Sequence, residues 1–131
     1  MPSKVSTHLM FEGDAEEAIN FYVSIFGNSK IIEVEKYQAE EQGAEGTIKQ
    51  ASFTLAGQKF ICIDSPISHE FSFTPSMSIF VDCSSEMVLQ EAFDQLSANG
   101  KIWMPLDNYG FNAKFAWVSD RFGVSWQLNL P

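Results

Sequence analysis

Two histidines and two cysteines are the side chains most able to do chemistry in this chain. His8 lies in the apolar, β-branched stretch KVSTHLMF at 4–11. His69 lies in SPISHEFSFTP at 65–75, a Pro- and Ser-rich segment that reads as a linker with a surface histidine. Cys62 and Cys83 each sit inside a strand-like stretch without CxxC spacing, the pattern of two buried free thiols. Asp82, Asp107 and Asp120 fall at the ends of elements, where aspartate caps and turns. Ser76 and Ser78 share a strand face, but no His-plus-acid motif accompanies them, so a nucleophilic triad is not expected. Glu40, Glu41 and Glu45 belong to an acidic, Gly-containing loop and read as a solvated edge. No GxG follows any strand, so no cofactor of the nucleotide or methyl-donor kind is expected.

The elements that must position these residues come in two runs. A strand over 4–11 ends at Gly13. Asp14 then caps a helix over 15–26, and Glu17 completes a capping-box spacing. The helix shows apolar Ala15, Ala18, Ile19, Tyr22, Ile25 and Phe26 at intervals of three and four. It ends at Gly27-Asn28. Strands follow at 30–38, 47–55 and 58–64, the last two joined by the tight Ala56-Gly57 turn. After the linker the order restarts. A strand covers 76–82. A helix covers 85–98, capped by Ser84, with Val88, Leu89, Ala92, Phe93 and Leu96 on its apolar face, and ends at Asn99-Gly100. Strands then cover 101–104, 112–119 and 124–130. Strand, helix, strand, strand, strand therefore occurs twice at an offset of roughly 70 residues. Neither half can bury its sheet face alone, which predicts one α+β domain over 1–131 with modules about 1–66 and 75–131.

Composition narrows the function. The chain has 131 residues, 45% of them hydrophobic, enough for one packed core and far from the disordered range. Its formal net charge is −9 with only 8 Lys and Arg residues. A nucleic-acid backbone needs clustered cations, so no nucleic-acid partner is expected. No apolar run approaches the length that crosses a bilayer, and the N-terminal segment lacks the apolar core of a secretion signal. No membrane partner and a cytoplasmic location are therefore expected.

FEGDAEEAINFYVSIFG at 11–27, GKIWMPL at 100–106 and DRFGVSWQLNLP at 120–131 resemble, in that order, the glyoxalase/bleomycin-resistance/extradiol-dioxygenase superfamily. These are the vicinal oxygen chelate proteins, and the resemblance is to their PhnB-like branch, also labelled demethylubiquinone methyltransferase-like. Arg121 stands where that branch usually has proline. The resemblance covers nearly the whole chain. It implies two βαβββ modules forming a cupped mixed sheet, a homodimer, and in some members a metal held by one His or Glu from the first and last strand of each half.

Counting along the strands places Thr7, Ile61, Ser76 and Gln127 at those four positions. Neutral oxygens and an alkyl chain are poor ligands for a divalent transition metal, so no metal is expected. A one-residue slip in the first strand would instead bring His8 into the cup, with Asp64 near it. Alternation predicts a lining of Thr7, Leu9 and Phe11, then Ser76, Ser78 and Phe80, then Phe115 or Trp117, with Gln127 and Asn129. No Lys or Arg is expected on these faces. Trp103, Tyr109 and Phe111 are placed to close over the mouth, and Trp126 and Leu128 to pack under a helix. The expected function is metal-independent binding of a small molecule in an aromatic cup. The alternatives are a metal-dependent lyase, isomerase or dioxygenase, and an interaction module whose cup is filled by side chains.

Overall fold

The first strand, β1 (Thr7–Phe11), ends two residues before Gly13, whose φ of +121° turns the chain into helix α1 (Ala15–Ile25). This computed structural model describes residues 1–131, which divide into two units, Met1–His69 and Glu70–Pro131. Strands β2 (Lys30–Lys36), β3 (Ile48–Leu55) and β4 (Gln58–Asp64) complete the first unit. Its sheet order is β1-β4-β3-β2, with β1 parallel to β4 and the other pairs antiparallel. Ala15, Ala18, Ile19 and Tyr22 of α1 are buried, the stripe expected of a helix on a sheet. They share the core with Leu9, Phe11, Ala51, Phe53, Phe60 and Cys62. Phe53 and Phe60 stack with ring centroids 5.2 Å apart. Ala56 and Gly57 both take positive φ, 50° and 88°, as a two-residue hairpin turn requires.

The expected cap of α1 is corrected. Asp14 precedes the helix but makes no side-chain cap bond. The work passes to Asp64 at the far end of β4. Its Oδ1 accepts from the backbone N–H of Gly13 (2.7 Å) and Ala15 (3.0 Å), and its Oδ2 from Ile48 N–H (2.8 Å). A buried carboxylate thus ties the helix start to two strands. The acidic loop is exposed, as expected, but it is anchored. Buried Tyr37 donates its hydroxyl to the Asp64 carbonyl (3.2 Å), and a Cβ on Gly43 would sit 2.2 Å from the Tyr37 ring.

The second unit repeats the order with β5 (Ser78–Asp82), α2 (Glu86–Ser97), β6 (Lys101–Asp107), β7 (Lys114–Ser119) and β8 (Ser125–Leu130). Its sheet order is β5-β8-β7-β6, with β5 parallel to β8. Ser85, one residue beyond the expected cap, accepts from Val88 N–H (3.2 Å) at the start of α2. β6 runs through Pro105, where the sequence predicts a loop. It is an edge strand, so the missing N–H costs no ladder bond on the open side. After both helices the asparagine takes the left-handed conformation (Asn28 and Asn99, φ 58°). Gly100 is needed for space instead, because a Cβ there would lie 2.2 Å from the Ser119 carbonyl oxygen. The turn before β8 is held by Asp120. It accepts from Phe122 N–H (2.8 Å), Val124 N–H (3.1 Å) and the indole of buried Trp126 (2.9 Å). No helix is long and apolar enough to cross a membrane.

Candidate functional site

In the second unit, Ala116, Val118, Trp126 and Leu128 are buried, and Leu89, Ala92 and Leu96 of α2 are buried with them. Strand alternation sends the intervening residues to the opposite face. The pairing register lines them up in three rows across β5, β8 and β7. One row is Ser78, Ser125 and Ser119. The next is Phe80, Gln127 and Trp117. The third is Asp82, Asn129 and Phe115. Of the predicted lining, Ser78, Phe80, Trp117, Gln127 and Asn129 therefore lie on one face. Phe115 and Trp117 are not alternatives, because residues two apart on a strand share a face, and both are here.

Hydrogen bonds run through the rows. The Trp117 indole donates to Ser125 Oγ (2.9 Å), Ser125 and Ser78 share a hydroxyl bond (2.7 Å), and Gln127 Nε2 donates to Ser78 Oγ (3.3 Å). In the third row Asn112 donates to Asn129 Oδ1 (2.7 Å), and Asn129 donates to Asp82 Oδ1 (2.8 Å). Aromatic rings surround this network. Trp103 lies 6.0 Å from Trp117 and donates its indole to Ser119 Oγ (2.9 Å). Phe111 meets Phe115 edge-on at 5.2 Å, and Tyr109 stacks on Phe111 at 6.3 Å. Phe80 is 54% exposed and Phe111 58%. These two rings are left in water beside oriented polar groups. Sequence reasoning missed Ser125 and Ser119, although both lie at even spacing from residues it named. Ser76 is corrected. It sits in a turn before β5, exposed, with its hydroxyl bonded to Thr74 (2.8 Å), and does not belong to this face.

The first unit requires a larger correction. The parallel register pairs His8 with Ile61 and Leu9 with Cys62. Thr7, Leu9 and Phe11 therefore share the face of buried Phe60, Cys62 and Asp64, while His8 and Met10 share the opposite face with Ile61 and Ile63. Leu9 and Phe11 belong to the core, at 7% and 4% exposure. Ile61 is where the sequence placed it, but Thr7 cannot accompany it. An open concavity of about 430 Å³ lies on the Ile61 side, lined by Glu33, Glu35, Gln50, Ser52 and Lys59 among others. Lys59 contradicts the expected absence of cations. The neighbouring Lys4 ammonium holds its pKa below the ordinary lysine value. On the second unit, Lys101 caps the Trp103 ring at 4.1 Å.

The metal positions can now be tested on donor chemistry. His8 reaches the open face, as the slipped register would have it. Asp64 does not join it, because its carboxylate is 2% exposed on the other face and accepts three backbone bonds. Ile61 beside His8 has no donor atom. No three His, Cys, Asp or Glu side chains converge anywhere. These residues do not fit a transition-metal centre. Cys62 is not a substitute ligand or nucleophile. Burial, with the Asp64 charge second, pushes its thiol up to about 12. Burial also raises Cys83, against a backbone hydrogen bond at Asn129.

Two βαβββ units, each a four-stranded mixed sheet carrying one helix, are the architecture of the vicinal oxygen chelate superfamily. Residues 3–129 match the family model described as 3-demethylubiquinone-9 3-methyltransferase, and the chain belongs to that family, the PhnB-like branch of the superfamily. A PhnB protein from Bacillus cereus is 50% identical, with a TM-score of 0.96 over 98% of this chain and 100% of that one. Protein YjdN of Escherichia coli K12 is 26% identical over 96% of this chain and 94% of its own length. Protein PA1353 from Pseudomonas aeruginosa, 22% identical with a TM-score of 0.85 over 98% of each chain, shares the fold. The fosfomycin resistance protein FosX from Listeria monocytogenes also shares the fold, at 13% identity and a TM-score of 0.66 over 100% of this chain and 94% of that one.

Proposed function

We propose that this chain is a metal-independent binding protein that holds a small, uncharged, partly aromatic molecule against the open face of its second sheet. The observation that carries this reading is the row Phe80, Gln127 and Trp117, in which an oriented amide lies between two rings. Rings supply contact area and dispersion, and the amide supplies orientation. The reading includes a homodimer working in the cytoplasm. The two unpaired, buried thiols suit a reducing compartment.

A metal-dependent enzyme needs a ligand cluster, and His8 stands apart from Asp64. Methyl transfer, which the family's description names, finds no support in the two strand-to-helix turns. They read Glu12-Gly13-Asp14 and Cys83-Ser84-Ser85, without the Gly-rich loop that cradles such a cofactor. The test is a thermal-shift screen of small molecules on the full chain, run with and without divalent metals. Aromatic neutral compounds should raise Tm equally in both series. A rise with Zn, Ni or Mn alone, lost in His8→Ala, would overturn the metal-free reading.

A further inference from the structure

The hydrogen-bond directions on the second sheet define what a ligand must present. An indole N–H only donates, so Ser125 Oγ accepts from Trp117. Ser125 is 2% exposed, and its own hydroxyl proton must find an acceptor; Ser78 Oγ lies 2.7 Å away. Ser78 Oγ then accepts twice, from Ser125 and from Gln127 Nε2 at 3.3 Å. Its lone pairs are filled, and its O–H is left to donate outward. Gln127 keeps its Oε1 and the second proton of Nε2. Both residues are half-buried on the sheet face opposite buried Trp126 and Leu128, and no fully buried side-chain polar atom lacks a partner. The surface thus offers donor beside acceptor, between the rings of Phe80 and Trp117.

We infer that the site selects a planar, uncharged ring bearing a lactam or carboxamide edge. The ligand carbonyl takes the Ser78 hydroxyl and the Gln127 Nε2 proton, and its N–H donates to Gln127 Oε1. Two antiparallel amides pair through two hydrogen bonds in this way. The ring meanwhile stacks on Phe80 and Trp117. Asp82 in the neighbouring row disfavours a carboxylate at the same edge. This rests on the binding reading above and adds the ligand's chemical class to it.

The test titrates the full chain with quinolin-2-one, its N-methyl derivative and quinoline-2-carboxylate, by calorimetry and by following the Gln127 side-chain amide in ¹H–¹⁵N spectra. Quinolin-2-one should bind about tenfold more tightly than the N-methyl form, the worth of one oriented hydrogen bond, and should shift the Gln127 amide signals. The carboxylate should bind most weakly. Gln127→Leu should stay folded by far-UV dichroism, bind both neutral rings more weakly than the wild type, and lose the preference between them. Equal binding of the two neutral rings would overturn the lactam assignment and leave the binding reading standing. A preference that survives in Gln127→Leu, or no binding of either ring, overturns the assignment as well. The binding reading itself falls only if the broader screen finds no ligand.

Discussion

Asp64 was readable as an aspartate at a strand end and unreadable as the cap of a helix that begins 49 residues earlier. Local spacing pointed to Asp14, because the Asp-x-x-Glu pattern is a local signal, whereas the bond that forms is tertiary. The two aspartates should therefore behave oppositely on substitution. Asp64→Ala strips acceptors from three backbone N–H groups in the core and should cost about 2–4 kcal/mol, read as a lower urea midpoint at unchanged slope. Asp14→Ala should change the midpoint little. Cys62 gives a second residue-scale test. Its folded pKa near 12 lies above the value in an unfolded chain. The protonated thiol is retained by the folded state, so stability is full below about pH 9 and falls as pH rises toward 12. The loss approaches about 1.4 kcal/mol per pH unit at most. Urea midpoints between pH 8 and 11 should decline more steeply in the wild type than in Cys62→Ala. The native protein should also leave a thiol reagent unreacted at pH 8 until denaturant is added.

At the scale of elements, periodicity carried most of the fold. Both helices and the tight turn at Ala56-Gly57 lie where apolar spacing and turn chemistry put them. Alternation tells which residues share a face, but not which face the helix covers. In THLMF, Leu9, Met10 and Phe11 are all apolar, so the β1 pattern fits either side. The parallel register with β4 resolves it, and no local signal carries that register. β5 and β8 were legible because Ser78, Gln127 and Asn129 are polar and Ile79, Trp126 and Leu128 are not. Gly100 supplies an element-scale prediction. Gly100→Ala would drive a methyl into the Ser119 carbonyl where α2 enters β6, with no side chain able to yield. A loss of about 1–3 kcal/mol is expected in denaturant unfolding. Ser85→Ala should cost about 1 kcal/mol through the lost cap of α2.

The whole molecule presents two unlike surfaces. The first unit's open face carries Glu33, Glu35 and Lys59, and the second carries exposed rings. Exposed rings such as Phe80 and Phe111 also favour self-association, the proposed homodimer. Light scattering should return twice the 14.7 kDa chain mass at micromolar concentration. Phe80→Ser with Phe111→Ser should weaken both that association and ring binding.

All three tryptophans, Trp103, Trp117 and Trp126, lie in the second unit, while buried Tyr22 and Tyr37 lie in the first. Indole emission is therefore an optical reporter of half the chain, whereas far-UV dichroism averages over both. In one denaturation series the two signals compare the halves without any label. Superimposable curves mean that the repeat melts as one cooperative body. An indole transition displaced from the dichroism curve means that each βαβββ unit has an unfolding equilibrium of its own.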